Sequence, residues 1–116
     1  MSLTPRLQVR TTQYNNYDVV KVVGYVFDDT KDPLDSALRE LTNAGRYRIV
    51  LDLSELDFMS AAGVKLALNA QRECKRHEGE LAIAKCPKRT YDALEVAGFI
   101  PLFSFYETVE SASEKF

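Results

Sequence analysis

The chain has 116 residues, 46% of them hydrophobic and 28% charged, with 15 basic against 17 acidic side chains and a net charge of -2. These proportions exclude a disordered, collagen-like or coiled-coil chain, and one histidine, two cysteines and no tryptophan exclude a histidine-rich metal protein and a disulfide-stapled toxin. The absence of a basic excess argues against nucleic acid as partner, and the length is that of one domain able to bury its own core.

Met1 to Leu7 carries no apolar run behind a basic start, so neither a signal peptide nor a membrane-inserted span is expected, and the reading is cytoplasmic. Leu7 to Thr11 alternates and predicts a strand. After the Asn15-Asn16-Tyr17-Asp18 turn cluster, Val19 to Phe27 predicts a second strand, hairpin-paired with the first. Gly24 within it points to a bulge or a close backbone approach. Asp32-Pro33 opens a helix, with Asp32 as cap, Pro33 at the first helical position and Leu34, Ala37, Leu38 and Leu41 facing the core. Gly45 ends it.

Ile49 to Leu53 predicts a strand buried on both faces. A short loop follows, and Ser60 caps a helix from Ala61 to about His77, buried at its start, solvated at its end and stopped by Gly79. Leu81 to Ala84 predicts another buried strand. Pro87 starts a helix running to Gly98 with Tyr91, Leu94 and Ala97 on one face. Leu102 to Phe105 predicts a last strand, and Thr108 caps a final helix holding Val109 and Ala112. The order β-β-α-β-α-β-α-β-α predicts a single α/β domain over 1–116, structured from about 7 to 112. Its sheet is mixed and mostly parallel, with an antiparallel N-terminal hairpin and about four helices packed on it.

Catalytic signals are sparse. His77 lies at a helix end, where the dipole favours it. Asp52, Glu55 and Asp57 cluster after a strand, and a solvated loop accounts for them. Cys74 and Cys86 form no CxxC and no zinc set; they read as reduced packing thiols, with a disulfide between them left open. Lys85-Cys86-Pro87-Lys88-Arg89 is a basic patch that could hold an anion but fits a solvated loop. No phosphate loop is present. No catalytic residue, cofactor or metal is expected.

The distinctive segment is Asp52-Leu53-Ser54-Glu55-Leu56-Asp57-Phe58-Met59-Ser60-Ala61-Ala62-Gly63. Phe58 and Met59 are followed by four small residues at a helix start. Such a run lets another surface approach closely, or packs the helix tightly on the sheet; sequence physics leaves the two readings even.

In that segment the chain resembles the STAS domain family, the domain of sulphate transporters and anti-sigma factor antagonists. The family pattern runs Asp-Leu-Ser, an aromatic, then Asp-Ser-Ser-Gly. Asp52-Leu53-Ser54, Phe58-Met59 and Gly63 match it. Gly24, Gly79-Glu80-Leu81, Leu94 with Ala97-Gly98-Phe99, and Tyr106 to Ala112 match further family positions.

The resemblance implies a non-enzymatic module that docks, through this helix start, on a kinase-type anti-sigma factor or another signalling or transport protein. A homodimer stays open. In the family the serine after the motif aspartate is phosphorylated, which ends docking. Here Ser60 replaces the aspartate, Ala61 holds the phosphoacceptor position and Ala62 replaces the second serine. Phospho-control at Ala61 is therefore lost, and Ser60 is a lesser candidate acceptor. Phe27 stands where the family often has an aspartate, with Asp28 and Asp29 just after it. The expected partner surface is Asp28, Asp29, Phe58, Met59, Ser60, Ala61, Ala62, Gly63, Val64 and Lys65. The alternative implied is a scaffold or accessory subunit of a stress-sensing complex or a lipid-import ABC transporter.

Overall fold

The structure, a computed structural model, describes residues 7–116. The readings placed on Met1 to Arg6 lie outside the described residues. The elements are β1 (Leu7–Gln13), β2 (Asp18–Val26), α1 (Asp32–Asn43), β3 (Arg48–Met59), α2 (Ala61–Arg76), β4 (Glu80–Ala84), α3 (Lys88–Val96), a 3-10 turn (Ile100–Leu102), β5 (Ser104–Tyr106) and α4 (Val109–Ser113). They form one five-stranded sheet in the order β1-β2-β3-β4-β5. β1 runs antiparallel to β2 and the remaining pairs are parallel. The predicted α/β class, hairpin edge and element order all hold.

The strand order explains where the helices lie. Each parallel strand is added on the same side of the last, and right-handed crossovers then put every connecting helix on one face. Leu34, Leu38 and Leu41 of α1 and Ala67, Ala70 and Cys74 of α2 pack there against Val20, Val22, Ile49, Leu51, Leu53, Leu81 and Ile83. Strand alternation sends Val19, Val50, Ala82 and Ala84 to the other face, where the short α4 covers them through Ala112 and Val109. Among the described residues no other helix packs on that second face.

Several local expectations change. Asp32 does not cap α1: Lys31, already helical in φ and ψ, holds the cap position, and no side chain caps the helix. The preceding turn is tied instead by Thr30, whose Oγ1 accepts from Phe27 N at 2.9 Å and donates to Tyr25 O at 3.0 Å. At the end of α2, Glu78 rather than glycine takes the left-handed conformation, with φ of 63°. Gly79 serves a close approach: a Cβ there would sit 1.9 Å from the Tyr47 carbonyl oxygen. α3 stops at Val96 and buries Thr90 and Leu94, so Ala97 is exposed rather than part of its apolar stripe. β5 begins at Ser104 because Pro101 sits in the 3-10 turn, where the chain is not extended. Thr108 caps α4 as expected, its Oγ1 accepting from Ser111 N at 3.0 Å.

Two of the buried polar side chains tie separate parts of the chain together. Asp18, 1% exposed, receives Arg46 Nε and Nη2, each at 2.9 Å. Gln71 joins three elements: its amide nitrogen donates to Leu102 O at 3.0 Å, and its Oε1 accepts from Leu81 N at 2.7 Å.

Candidate functional site

The distinctive segment is not strand, loop and helix but strand and helix. β3 continues through Met59, paired with β2 to its end. Two bulges make this possible. Lys21 pairs with Asp52 but Val23 with Glu55; Gly24 pairs with Leu56 but Tyr25 with Phe58. Each bulge places two β3 residues opposite one of β2. Gly24, with φ of 103°, supplies the conformation the second one needs. Leu53, Leu56 and Met59 therefore all face the helices, while Glu55 and Phe58 face the open side.

At the C-terminal ends of β2 and β3 the chain turns directly into α2. Ser60 N donates to Val26 O at 2.8 Å, and Val64 N closes the first helical turn onto Ser60 O at 3.1 Å. Ser60 occupies the cap position with extended backbone, yet its side chain makes no capping bond. Its Oγ is buried without a hydrogen-bond partner. The expected cap is thus positional only.

The four small residues divide their work. Gly63 is buried, and a Cβ on it would lie 2.6 Å from Met59 Cγ and 2.7 Å from Val26 Cγ1. It is small for internal packing. Ala61 is exposed and Ala62 half-buried, followed by half-buried Val64 and exposed Lys65. These form an outward surface. The internal-packing reading holds at Gly63, while Ala61 and Ala62 stand on the outer side of the same turn.

Three rings stand at the strand ends that lead into this turn. Tyr25 and Phe27 stack with centroids 5.9 Å apart and planes at 12°, and Phe27 meets Phe58 at 5.3 Å. That contact brings the residue before the Asp28-Asp29 pair against the segment before α2. Met59 turns inward against the core. Tyr25 is an addition: it is 44% exposed, and its alternation with Phe27 was the signal available in the sequence.

The alternative chemical sites dissolve. Asp52 is 9% exposed within the strand, where it accepts from Ser54 N at 3.0 Å. Glu55 pairs with Lys21, a bond that raises the Lys21 pKa. The three carboxylates are therefore strand residues, not a loop cluster. Cys74 is fully buried, as the packing-thiol reading expects. Burial, reinforced by Glu73 and Glu80, pushes its thiol up to about 12, and burial alone takes Cys86 to about 11. Both are free thiols, and neither is activated. His77 stacks on Tyr47 at 4.0 Å and 2°. In the basic patch, Lys88 pairs with Asp92 at 2.9 Å. Among the described residues no group of three His, Cys, Asp or Glu could hold a metal ion, and no helix is long and apolar enough to cross a membrane. A cleft of about 360 Å³ lined by Asp18, Arg46, Tyr47, Arg48 and His77 lies at the opposite end of the sheet.

Comparison with protein families matches the STAS domain over residues 8–112. Among curated proteins the chain is 28% identical over 93 residues to BtrV of Bordetella bronchiseptica, whose name provisionally assigns it as an anti-sigma factor antagonist, with 80% of each chain covered. Among solved structures, an anti-sigma factor antagonist from Mycobacterium paratuberculosis superposes with a TM-score of 0.86 at 19% identity, covering 99% of this chain and 97% of that one. The Bacillus cell fate determinant SpoIIAA in its phosphorylated form superposes with a TM-score of 0.73 at 18% identity, covering 94% and 97%.

Proposed function

We propose a function from one premise: the chain belongs to the STAS domain family. It acts as a non-enzymatic, cytoplasmic module of the anti-sigma factor antagonist type. It docks on a kinase-type anti-sigma factor through the start of α2 and the ring-bearing strand ends beside it. The observation carrying this reading is the outward Ala61-Ala62 turn, which follows directly on the strand end whose Phe58 ring meets Phe27 and, through it, Tyr25.

Docking is constitutive at the usual control position. Ala61 has no hydroxyl, and the Ser60 hydroxyl one residue earlier is buried and turned inward. A phosphate would add about -1.5 to -2 charges and its bulk at the centre of this surface, and this chain offers it no ready acceptor there. Calorimetric titration with the kinase-type anti-sigma protein of the same genome tests the docking; no binding at tens of micromolar refutes it. Restoring the motif with Ser60→Asp and Ala61→Ser tests the switch. Intact mass after incubation with kinase and ATP should show phosphorylation of the double variant but not of the native chain. Phosphorylation of the native chain, lost on Ser60→Ala, would refute constitutive docking.

A further inference from the structure

We infer that the energetic anchor of this docking surface is the Tyr25-Phe27-Phe58 ring cluster, and that its partner presents an apolar recess rimmed by arginine or lysine. The inference rests on the docking reading above. Single exposed apolar side chains are ordinary, whereas a contiguous group marks an interaction surface. Tyr25 and Phe58, 44% and 36% exposed, share one such group with Phe27 between them.

The rings are already held in place. Tyr25 and Phe58 stand on paired strands at register positions facing each other. Phe27 sits in the turn that Thr30 ties down at both its hydroxyl bonds. Little side-chain entropy remains to be lost on binding, which is how aromatic anchors come to dominate interfaces.

The surroundings give the partner its charge. Asp28 follows Phe27 directly and Asp57 is the extra residue of the bulge beside Phe58; both are exposed, and neither makes an ion pair among the described residues. A partner bringing carboxylates to this rim would be repelled, while a cationic rim would be steered in. Guanidinium groups suit it further, since they pair with carboxylates and also lie favourably on ring faces.

The probe is the purified kinase-type anti-sigma protein of the same genome, titrated at about 50 and about 500 mM salt to vary screening. Phe58→Ala should weaken binding by roughly 30-fold or more and Tyr25→Ala by roughly 10-fold. Asp28→Asn with Asp57→Asn should flatten the salt dependence and slow association. Val96→Asp, on the exposed end of α3, should bind as the native chain does. Native-like circular dichroism of each variant excludes unfolding as the cause. If the native chain binds but both ring variants bind within about threefold of it, the anchor inference is overturned and docking stands. An unchanged salt dependence in the double variant overturns the cationic rim. If the native chain does not bind, the docking reading falls and the anchor falls with it.

Discussion

Replacing Ser60 by alanine should stabilise the protein, against the usual behaviour of a helix cap. Removing a capping serine ordinarily costs about 0.5–2 kcal/mol, because its oxygen satisfies a helix N–H. Ser60 makes no such bond, so that loss does not arise. Its Oγ is buried without a partner, and an unsatisfied buried polar group costs about 1–3 kcal/mol in lost hydration. Deleting it releases that cost and forfeits the contacts of one atom, for a net gain of about 1 kcal/mol. For a domain of this size that is a rise in Tm of about 4 °C. Urea unfolding followed by circular dichroism measures it: the midpoint should move up with an unchanged slope. A loss of about 0.5 kcal/mol or more would mean that the hydroxyl caps α2 after all, and the account of its inward orientation would fail.

Three further outcomes are expected. Gly63→Ala relieves about 1 kcal/mol of glycine's helix penalty but drives a methyl into Val26, which is fully buried and stiff at χ1; overpacking of about 1–3 kcal/mol wins, and the urea midpoint falls. Gln71→Leu leaves the buried Leu81 N–H without its partner, costing about 1–3 kcal/mol and speeding amide exchange at Leu81. The cysteine thiols set an alkaline limit. Their folded pKa values, about 12 for Cys74 and about 11 for Cys86, lie above the ordinary thiol value, so the unfolded chain gives up protons first. The contribution is intact below a pH of about 9 and is lost as the pH rises toward the folded values, and Cys74→Ala should flatten that decline in a pH series of unfolding curves.

Much of the fold was legible because apolar spacing and turn residues agree over most of the chain. The β3 extension was not, for a physical reason. Its two bulges space the inward residues Leu53, Leu56 and Met59 three apart, so the two-residue period that identifies a strand is absent. The site's α2 start was legible through its small residues, but their division into inward Gly63 and outward Ala61 depends on Val26, a residue 37 positions away in sequence. Ser60 misled because residue type indicates which side chain can cap a helix, whereas its rotamer and neighbours decide whether it does. Phe27 read only as a departure from a pattern; its meaning came from Tyr25 and Phe58, brought to it by strand pairing.

The unbroken strand order has a consequence for how the chain reaches this state. Every strand pairs with the one made just before it, and no later strand must slip between two already joined. Loop closures stay short, which keeps the entropic barrier to assembly low. A chain emerging from the ribosome at about 5–20 residues per second can therefore grow its sheet in the direction of synthesis, each edge serving as template for the next strand. The ring cluster is complete once β3 has paired, so this end of the sheet can be organised before the last third of the protein exists.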